Sequence, residues 1–340
     1  MPVVRADHLY KVFGRQSKAA VERLADGSHR DTIADLDVTA AVIDVSFEVQ
    51  PGEIFVVMGL SGSGKSTLIR MLNGLLDSTA GTVEIDGVDI TALSHKNLLK
   101  LRSEKISMVF QHFALLPHRT VLENAAYGLE LRGMPRAERF AKAKETLGLV
   151  GLDGWEDKLP HQLSGGMQQR VGLARALAAD TDIILMDEAF SALDPLIRRD
   201  MQTQLLELQA TLGKTIIFIT HDLNEAMRLG DRICVLRDGR VAQIGEAAEI
   251  LNAPANEYVE RFVEDVDRSR VLTAAVAAGV AVDAGAPQVS SDTLVADLYT
   301  SVSTADRLRV VSAEGEVLGM VTRESVLASL ARDENEEIAK

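Results

Sequence analysis

The sequence predicts a mixed α/β fold in which a core of buried strands is interrupted by a helical insert. Four short apolar runs lack polar alternation, which is typical of central strands covered on both faces. These runs are Ile54–Met58, Ile106–Phe110, 183–186 and Thr215–Thr220. The first run ends at a glycine-rich loop, and a helix-compatible stretch follows at 65–76. Strand, loop and helix in this order indicate a phosphate-binding turn.

The remaining segments of this core follow in chain order. Loose alternation of polar and apolar residues predicts a strand over 41–48. Helical patterning dominates 117–178. Two further strands, 233–236 and 240–244, flank Asp238-Gly239, which is a strong hairpin-turn signal.

Length and composition limit the class of protein. The chain has 340 residues, about twice a typical domain, so two domains are expected. Its net charge of −14 argues against a protein that binds nucleic acid through a basic surface. The single Cys234 excludes an internal disulfide and a cysteine-cluster metal site. The N-terminal residues do not resemble a secretory signal, and no stretch reaches the roughly 18 apolar residues of a membrane span. A cytosolic chain is therefore expected.

The acidic residues are unevenly distributed along the chain. Between 264 and 340 there are 14 acidic and 7 basic residues, and the composition becomes rich in Ala, Val and Asp. We therefore expect a first domain over 1–263 and an acidic second domain over 264–340.

A phosphate-binding loop is the strongest functional signal, because residues 59–67 fit the pattern G-x-x-x-x-G-K-[ST]. Glycines let successive backbone N–H groups point at phosphate oxygens, and the positive end of the following helix faces the same anion. Lys65 is expected to reach the β- and γ-phosphates, and the Ser66 hydroxyl to ligate Mg²⁺. The alternative, an ordinary glycine-rich turn, leaves the strand and helix around the loop unexplained. The predicted nucleotide-binding residues are Gly59, Ser61, Gly62, Ser63, Gly64, Lys65, Ser66 and Thr67.

Two adjacent acids, Asp187 and Glu188, follow the apolar run 183–186. A carboxylate at a strand end beside the phosphate loop can hold Mg²⁺, usually through water, which is the role expected of Asp187. Glu188 is then placed to polarise an attacking water. Such a pair is often only a solvated loop, but the phosphate loop favours the functional interpretation.

A third segment, Leu-Ser-Gly-Gly-Met-Gln at 163–168, precedes a helical stretch at 171–178. Ser164, Gly165 and Gly166 would then lie at a helix N-terminus, whose N–H donors can bind an anion. The alternative is a simple helix cap formed by Ser164. These residues alone leave both interpretations open.

Taken together, the motifs resemble those of the ATP-binding cassette (ABC) ATPases. Segment 163–168 is similar to the signature motif of that family, and Gln111 to its Q-loop glutamine. Ser-Ala-Leu-Asp at 191–194 is similar to the D-loop, and His221 to the switch histidine. The resemblance covers about residues 5–255 and implies an ABC-type P-loop ATPase core, with a mixed sheet and a helical subdomain at about 112–178.

The same resemblance implies a role for each position. Two cassettes pair head to tail, so that Ser164, Gly165 and Gly166 would contact the ATP bound by the partner. Gln111 would contact Mg²⁺ or the attacking water, His221 the γ-phosphate, and Asp194 would organise the dimer interface. The implied catalytic residues are Glu188, His221 and Gln111, and the implied Mg²⁺ ligands are Ser66, Gln111 and Asp187.

An insertion at about 15–40 indicates a narrower group. It follows Phe13, which is similar to the adenine-stacking aromatic of the family, although a core phenylalanine is the alternative. Helix-like pieces lie at 19–24 and 31–36. The ATP-binding subunits of glycine betaine/proline betaine (quaternary amine) importers have an insertion at this point, and the sequence resembles them at MDEAFSALDPLI (186–197).

The C-terminal segment supports the same resemblance. Strand (308–311), turn (314–316), strand (317–322) and helix (325–331) are similar to one cystathionine-β-synthase (CBS)-type regulatory module, which these importers append. The family normally has such modules in tandem, and this chain accommodates one. Ser325 stands where nucleotide-binding modules commonly have an Asp that holds ribose, which puts nucleotide sensing in doubt.

The resemblance implies an ATPase subunit that energises import of a quaternary amine osmoprotectant. Its partners would be a membrane-spanning permease, a second ATPase subunit and, indirectly, an extracytoplasmic substrate-binding protein. It would lie peripherally on the cytoplasmic face of the inner membrane. The alternatives are an importer ATPase for another osmolyte, an amino acid or a polyamine, and an ABC ATPase with no transport role.

Overall fold

The computed structural model describes residues 1–264, 266–279, 283 and 285–330. The chain divides into two compact units, Met1–Ile244 and Gly245–Lys340. This division precedes the boundary expected at 263/264. The helix Ala247–Asn252 belongs to the second unit, where Arg268 Nη1 donates to the Leu251 carbonyl at 3.0 Å.

The first unit contains both strands and helices. Its strands are β1 (Val4–Phe13), β2 (Thr39–Val49), β3 (Ile54–Met58), β4 (Ala80–Ile85), β5 (Val88–Asp89), β6 (Ile106–Phe110), β7 (Ile183–Asp187), β8 (Thr215–Thr220), β9 (Arg232–Arg237) and β10 (Arg240–Gly245). Its α-helices are α1 (Ser17–Leu24), α2 (Lys65–Leu72), α3 (His95–Lys105), α4 (Val121–Ala125), α5 (Tyr127–Leu131), α6 (Arg136–Leu149), α7 (Gly165–Ala178), α8 (Pro195–Leu212) and α9 (Leu223–Leu229).

A six-stranded sheet with the order β10-β9-β3-β8-β7-β6 forms the centre of the first unit. The strand β3 is parallel to β8 and β9, and β7 is parallel to β6 and β8. The predicted bounds of β3, β6 and β8 are confirmed. The expectation that β6 is a central strand is wrong, because it lies at the sheet edge and Phe110 is 37% exposed.

A second, four-stranded sheet, β2-β1-β4-β5, packs against the first. Phe47 of β2 stacks on Phe55 of β3 with ring centroids 4.9 Å apart. Leu68, Ile69 and Leu72 of α2 are buried in the same core. Burial of this apolar surface fixes both β3 and α2, and so holds the two ends of the loop between them.

The insertion at 15–40 has a small core of its own. Its predicted helical pieces are confirmed as α1 and a 3₁₀ segment at Arg30–Leu36. Leu24 and Ile33 pack against Tyr10 and Ile43 of the four-stranded sheet. Arg240 of β10 donates to the Leu24 and Ser28 carbonyls, at 3.0 and 2.9 Å. The insertion is therefore a packed part of the first unit.

Between β6 and β7 every residue is described, and this region is helical as predicted. It contains α4 to α7 and a 3₁₀ turn at Pro160–Gln162, with no strand in the described residues 111–182. The helix α7 begins at Gly165, ahead of the predicted 171. In contrast, α2 ends at Leu72 rather than 76, because Gly74 turns left-handed (φ +64°) and Leu75 N–H bonds back to Asn73 Oδ1.

The second unit is a small α+β arrangement. Its helices are α10 (Ala247–Asn252), α11 (Glu257–Phe262), α12 (Ala274–Ala277), α13 (Val295–Ala305) and α14 (Arg323–Leu330), and its strands are β11 (Gln288–Ser290), β12 (Arg307–Val311) and β13 (Val317–Thr322). The sheet order is β11-β12-β13, with β11 parallel and β13 antiparallel to β12. The predicted strand, turn, strand and helix at 308–331 are confirmed, although residue 331 lies outside the described residues.

Of the helices that the structure describes, none has the length and apolarity needed to cross a membrane.

Candidate nucleotide-binding and catalytic site

The phosphate-binding loop lies between β3, which is buried along its length, and α2. Lys65 is the first residue of α2 and is 5% exposed. Its Nζ donates to the Gly59 carbonyl at 2.8 Å and to the Leu60 carbonyl at 3.0 Å. The loop is therefore closed around its own lysine, with that ammonium group inside the curve.

Gly64, directly before α2, has a φ of +102°. This conformation is costly for a residue with a side chain. A Cβ at this position would also clash with the Ala41 carbonyl oxygen of β2. The glycine therefore lets the loop pass close to β2 and enter α2 with its N–H groups facing outward from the helix end.

A cleft of about 640 Å³ opens over this loop. It is lined by Ala41, Leu60, Ser61, Gly62, Gly64, Lys65, Ser66, Thr67, Glu188 and His221. The structure thus places most of the predicted loop residues, the predicted base and the predicted switch histidine around one cavity. Its volume is in the range of ligand sites in proteins.

Three predicted catalytic side chains meet at Glu188, whose side chain is 18% exposed. Gln111, directly after β6, donates from Nε2 to Glu188 Oε2 at 3.3 Å. His221, directly after β8, has its Nδ1 3.1 Å from the same oxygen. Because β6, β7 and β8 are parallel neighbours, their carboxyl ends bring the three residues together at one edge of the sheet.

The backbone at Glu188 is unusual, since its φ is +46°. Its N–H donates to the Ile219 carbonyl of β8 at 2.9 Å, which holds this left-handed conformation. Non-glycine residues with such φ values are uncommon and often occur at functional sites. The turn changes the direction of the chain at the point where β7 ends.

Burial and nearby charges both shift the pKa values of Lys65 and Asp187. Burial lowers the pKa of the Lys65 ammonium, while the nearby Glu188 and Asp187 carboxylates raise it. Burial also raises the pKa of the Asp187 carboxyl, and the Glu188 charge adds to this effect; Arg70 and Lys65 oppose it. The site combines a desolvated cation with two adjacent carboxylates, a composition suited to holding a polyanion together with a cation.

The 163–168 segment differs from the phosphate loop in its surroundings. Ser164 caps α7 by accepting a hydrogen bond from Met167 N–H at 3.3 Å, and both Ser164 and Gly165 are exposed. Ser164, Gly165 and Gly166 do not line the cleft over the phosphate loop. Ser164 therefore caps α7, while the binding of an anion at this exposed N-terminus stays a prediction.

Six further predicted residues also lie outside the lining of the cleft: Gly59, Ser63, Gln111, Asp187, Asp194 and Phe13. Asp194 caps α8, with its Oδ1 accepting from Ile197 N–H at 3.1 Å, and is exposed. Phe13, at the end of β1, is 42% exposed and has Lys11 Nζ 5.2 Å from its ring centroid. The core alternative for Phe13 is therefore wrong, and its exposed ring remains available for stacking.

Sequence reasoning missed three residues that hold the site together. Ser191 Oγ accepts from Gln111 Nε2 at 3.1 Å and donates to the Glu188 carbonyl at 2.9 Å. Arg198 bonds both to the 191–193 backbone and to Asp222. Arg175 of α7 donates to the Ala114 and Phe113 carbonyls, at 2.7 and 3.2 Å. Only Ser191, inside the D-loop pattern, carried a signal that could have pointed to it.

Comparison with known proteins agrees with this geometry. The family model described as "ABC transporter" matches residues 42–191. The chain is 61% identical over 272 residues to the glycine betaine transport ATP-binding protein OpuAA of Bacillus subtilis, covering 80% of this chain and 65% of that protein. It is 53% identical over 268 residues to the glycine betaine/proline betaine transport system ATP-binding protein ProV of Escherichia coli, covering 78% and 67%.

A further relative matches along almost the whole chain. The trimethylamine N-oxide transport system ATP-binding protein TmoW of Ruegeria pomeroyi is 47% identical over 332 residues, covering 97% of this chain and 98% of that protein. The chain belongs to the ATP-binding proteins of ABC transporters. Its similarity includes ATP-binding proteins of glycine betaine and trimethylamine N-oxide transport, and it spans about two thirds of the length of OpuAA.

The fold of this ABC ATPase is also similar to that of a solved structure. That structure is a dimeric ATP-binding cassette in a post-hydrolysis state, bound to ADP and Pi. The TM-score is 0.61 at 34% identity, and the match covers 72% of this chain and 98% of that one. The ABC-type P-loop core expected from the motifs is confirmed.

Proposed function

We propose that this protein hydrolyses ATP and thereby energises the import of a methylated amine osmoprotectant through a partner membrane permease. The observation that carries the hydrolytic part is the contact of Gln111 and His221 with one oxygen of Glu188. This carboxylate lines the cleft that also contains Lys65. A carboxylate positioned in this way can accept a proton from water that attacks the γ-phosphate.

Each part of the site has a proposed role. The backbone of 59–67 and the Lys65 ammonium hold the β- and γ-phosphates. Glu188 is the general base, Gln111 orients the attacking water, and His221 contacts the γ-phosphate. Phe13 stacks on the adenine, for which its 42% exposure leaves the ring accessible.

The residues present fit a Mg²⁺ ion. Ser66, Asp187 and Gln111 offer hydroxyl, carboxylate and amide oxygens, and Mg²⁺ prefers oxygen ligands. Among the described residues no cluster of three or more His, Cys, Asp or Glu could hold a metal by itself. This agrees with an ion bound by few protein ligands together with nucleotide phosphates. When bound, Mg²⁺ would neutralise charge on the transferred phosphoryl group.

A second copy of the chain is proposed to complete the site. The N-terminus of α7 carries Ser164, Gly165 and Gly166, none of which lines the cleft of its own chain. Its N–H donors could bind an anion held by a partner chain. Asp194 would lie at the same interface. The dimeric cassette to which this chain is similar supports the proposal. The dimer would bind peripherally to the permease at the cytoplasmic face of the inner membrane.

The proposed cargo is a quaternary amine of the glycine betaine/proline betaine type, delivered to the permease by an extracytoplasmic binding protein. The names of OpuAA and ProV support this class. Trimethylamine N-oxide is a second candidate, because TmoW matches 97% of this chain, including the C-terminal unit. Glycine betaine and trimethylamine N-oxide share a trimethylated nitrogen. An amino acid or polyamine is the less favoured class.

For the C-terminal unit we propose a single CBS-like regulatory module. The order β12, β13 and α14 is the feature that supports it. Ser325, in the first turn of α14, bonds back to Thr322 at the end of β13, with its Oγ accepting from Thr322 N–H at 2.9 Å. Because Ser325 lacks a carboxylate, adenine nucleotide is not the expected ligand of this module.

The hydrolytic role is tested by Glu188→Gln in the full chain. The amide keeps the size of the side chain but cannot accept the proton from water, so turnover should fall by about 100-fold or more. ATP affinity should stay within about twofold, as measured by equilibrium binding of a fluorescent ATP analogue. The variant should also accumulate as an ATP-bound dimer in size-exclusion chromatography with light scattering. Undiminished turnover would reject Glu188 as the base.

The cargo is tested by reconstituting the transporter in liposomes with its permease and binding protein. ATP hydrolysis is then measured with glycine betaine, with trimethylamine N-oxide, and with an amino acid as control. Stimulation by glycine betaine supports the first candidate, and stimulation by trimethylamine N-oxide alone supports the second. Stimulation by neither methylated amine would reject the proposed cargo class.

A further inference from the structure

Arg198 lies in the first turn of α8 and links two segments of the site that are distant in sequence. Its Nη2 donates to the Leu193 carbonyl at 3.1 Å and to the Ser191 carbonyl at 3.4 Å. Its Nη1 donates to Asp222 Oδ2 at 3.1 Å. One guanidinium group therefore joins the backbone of 191–193 to the residue that follows His221.

Both segments are in direct contact with the proposed catalytic groups. On one side, Ser191 Oγ accepts from Gln111 and donates to the Glu188 carbonyl. On the other side, Asp222 caps α9 by accepting from Glu225 N–H at 3.2 Å, and its own N–H donates to Thr220 Oγ1 at 2.9 Å. The position of the loop that carries His221 is thus set by Asp222, and Asp222 is held by Arg198.

The chemistry of arginine suits this link better than that of lysine. The planar guanidinium presents several N–H donors in a fixed fork, so two acceptors on one side and a carboxylate on the other can be bonded together. Lysine has one nitrogen and cannot reach both sides at these distances. The side chains of Arg198 and Asp222 are 27% and 33% exposed, so water screens their interaction only in part.

We propose that Arg198 is a positioning residue for ATP hydrolysis. It connects the 191–194 turn to the loop that carries His221 and holds both in place around Glu188. The inference rests on the proposed ATPase function. Asp194 lies in the same turn, at the proposed dimer interface. The hydrogen bonds of Arg198 therefore also connect that interface to the loop that carries His221. Arg198 itself does not line the nucleotide cleft.

The experiment compares Arg198→Lys with Arg199→Lys in the full chain. Arg199 is the neighbouring, exposed arginine of the same helix, so this control makes the same chemical change away from the site. We expect Arg198→Lys to lower kcat by about tenfold, the loss that corresponds to one charge-assisted hydrogen bond. The KM for ATP should stay within about twofold, and Arg199→Lys should match the unaltered chain. A role limited to positive charge would be rescued by lysine, and such rescue would overturn the proposal.

A second variant removes the carboxylate to which Arg198 donates. In Asp222→Asn the new residue is as good a helix cap as Asp, so α9 should form normally while the ion pair to Arg198 is lost. We expect the same fall in kcat, and the double variant should fall little further than either single one. Losses that multiply in the double variant would mean independent effects and would overturn the proposal.

Two further outcomes, a variant that does not fold and an unaltered chain without ATPase activity, have separate interpretations. If Arg198→Lys does not fold, Asp222→Asn decides alone, and a kcat within about twofold of the unaltered chain overturns the inference. If the unaltered chain itself hydrolyses no ATP, alone or reconstituted with its permease, the proposed function has failed rather than the role of Arg198.

Discussion

Two helix N-termini carry the two predicted anion-binding motifs of this chain, and they differ in how complete they are. The N-terminus of α2 follows a loop that is closed around the buried Lys65 and lines a cleft. The N-terminus of α7 is exposed and is capped by its own Ser164. The first site is therefore preformed within one chain. The second offers donors to a group that must come from outside, which agrees with the proposed head-to-tail dimer.

The largest effect, on ATP affinity, should come from a substitution in the phosphate-binding loop, the site that is preformed within one chain. Lys65→Ala removes the buried cation that is proposed to hold the phosphates, which should cost about 2–5 kcal/mol of ATP binding free energy. The measurement is equilibrium binding of a fluorescent ATP analogue to the full chain. Lys100→Ala is the control, since the Lys100 side chain is 73% exposed on α3. Affinity within about threefold of the unaltered chain would contradict the assigned role of Lys65.

A smaller effect is expected for two glycine substitutions in the same loop, where Gly64→Ala should cost more unfolding free energy than Gly62→Ala. Gly64→Ala meets both a φ of +102° and a clash with the Ala41 carbonyl, so we expect a loss of about 3 kcal/mol in the free energy of unfolding. Gly62→Ala has a φ of +80° and open space around it, so about 1 kcal/mol is expected. Urea unfolding of the two variants provides the comparison. Equal losses would show that close approach of β2 does not shape the loop.

A loss of stability as small as that of Gly62→Ala is expected at the exposed N-terminus of α7. Ser164→Ala removes the cap of α7 and should cost about 1 kcal/mol of unfolding free energy. ATP binding to a single chain should be unchanged, because Ser164 does not line the cleft. Combined with Glu188→Gln, it should reduce the ATP-bound dimer in light scattering. A Ser164→Ala chain that loses ATP affinity as a monomer would break the contrast between the two N-termini.

The central strands and the phosphate loop were predictable from sequence because their signals are local. Ile54–Met58 and Thr215–Thr220 are apolar runs bounded by polar or glycine residues, and their predicted bounds match the structure. The position of a strand within its sheet is not local. Ile106–Phe110 is also a short, mainly apolar run but lies at the edge, since strand order depends on which neighbours pair with it.

The site divides in the same way. The motif residues around Lys65 and Glu188 follow from patterns of residue type and spacing. Arg175 and Arg198 carry no such pattern, because each donates to a group distant in sequence: Arg175 to the Phe113 and Ala114 carbonyls, and Arg198 to the Asp222 carboxylate. A surface arginine in a helix gives no sequence signal of the acceptors that folding brings to it.

The sequence by itself determined the nucleotide chemistry of this protein, because phosphate binding requires particular residue types at fixed spacing. It also determined membership of the ABC transporter ATPases, through the order of several such motifs. Only the tertiary structure decided which motifs meet. Parallel strands bring Gln111, Glu188 and His221 to one edge, whereas Ser164 stays exposed and outside the cleft. These are long-range contacts, set by strand order and packing rather than by neighbouring residues.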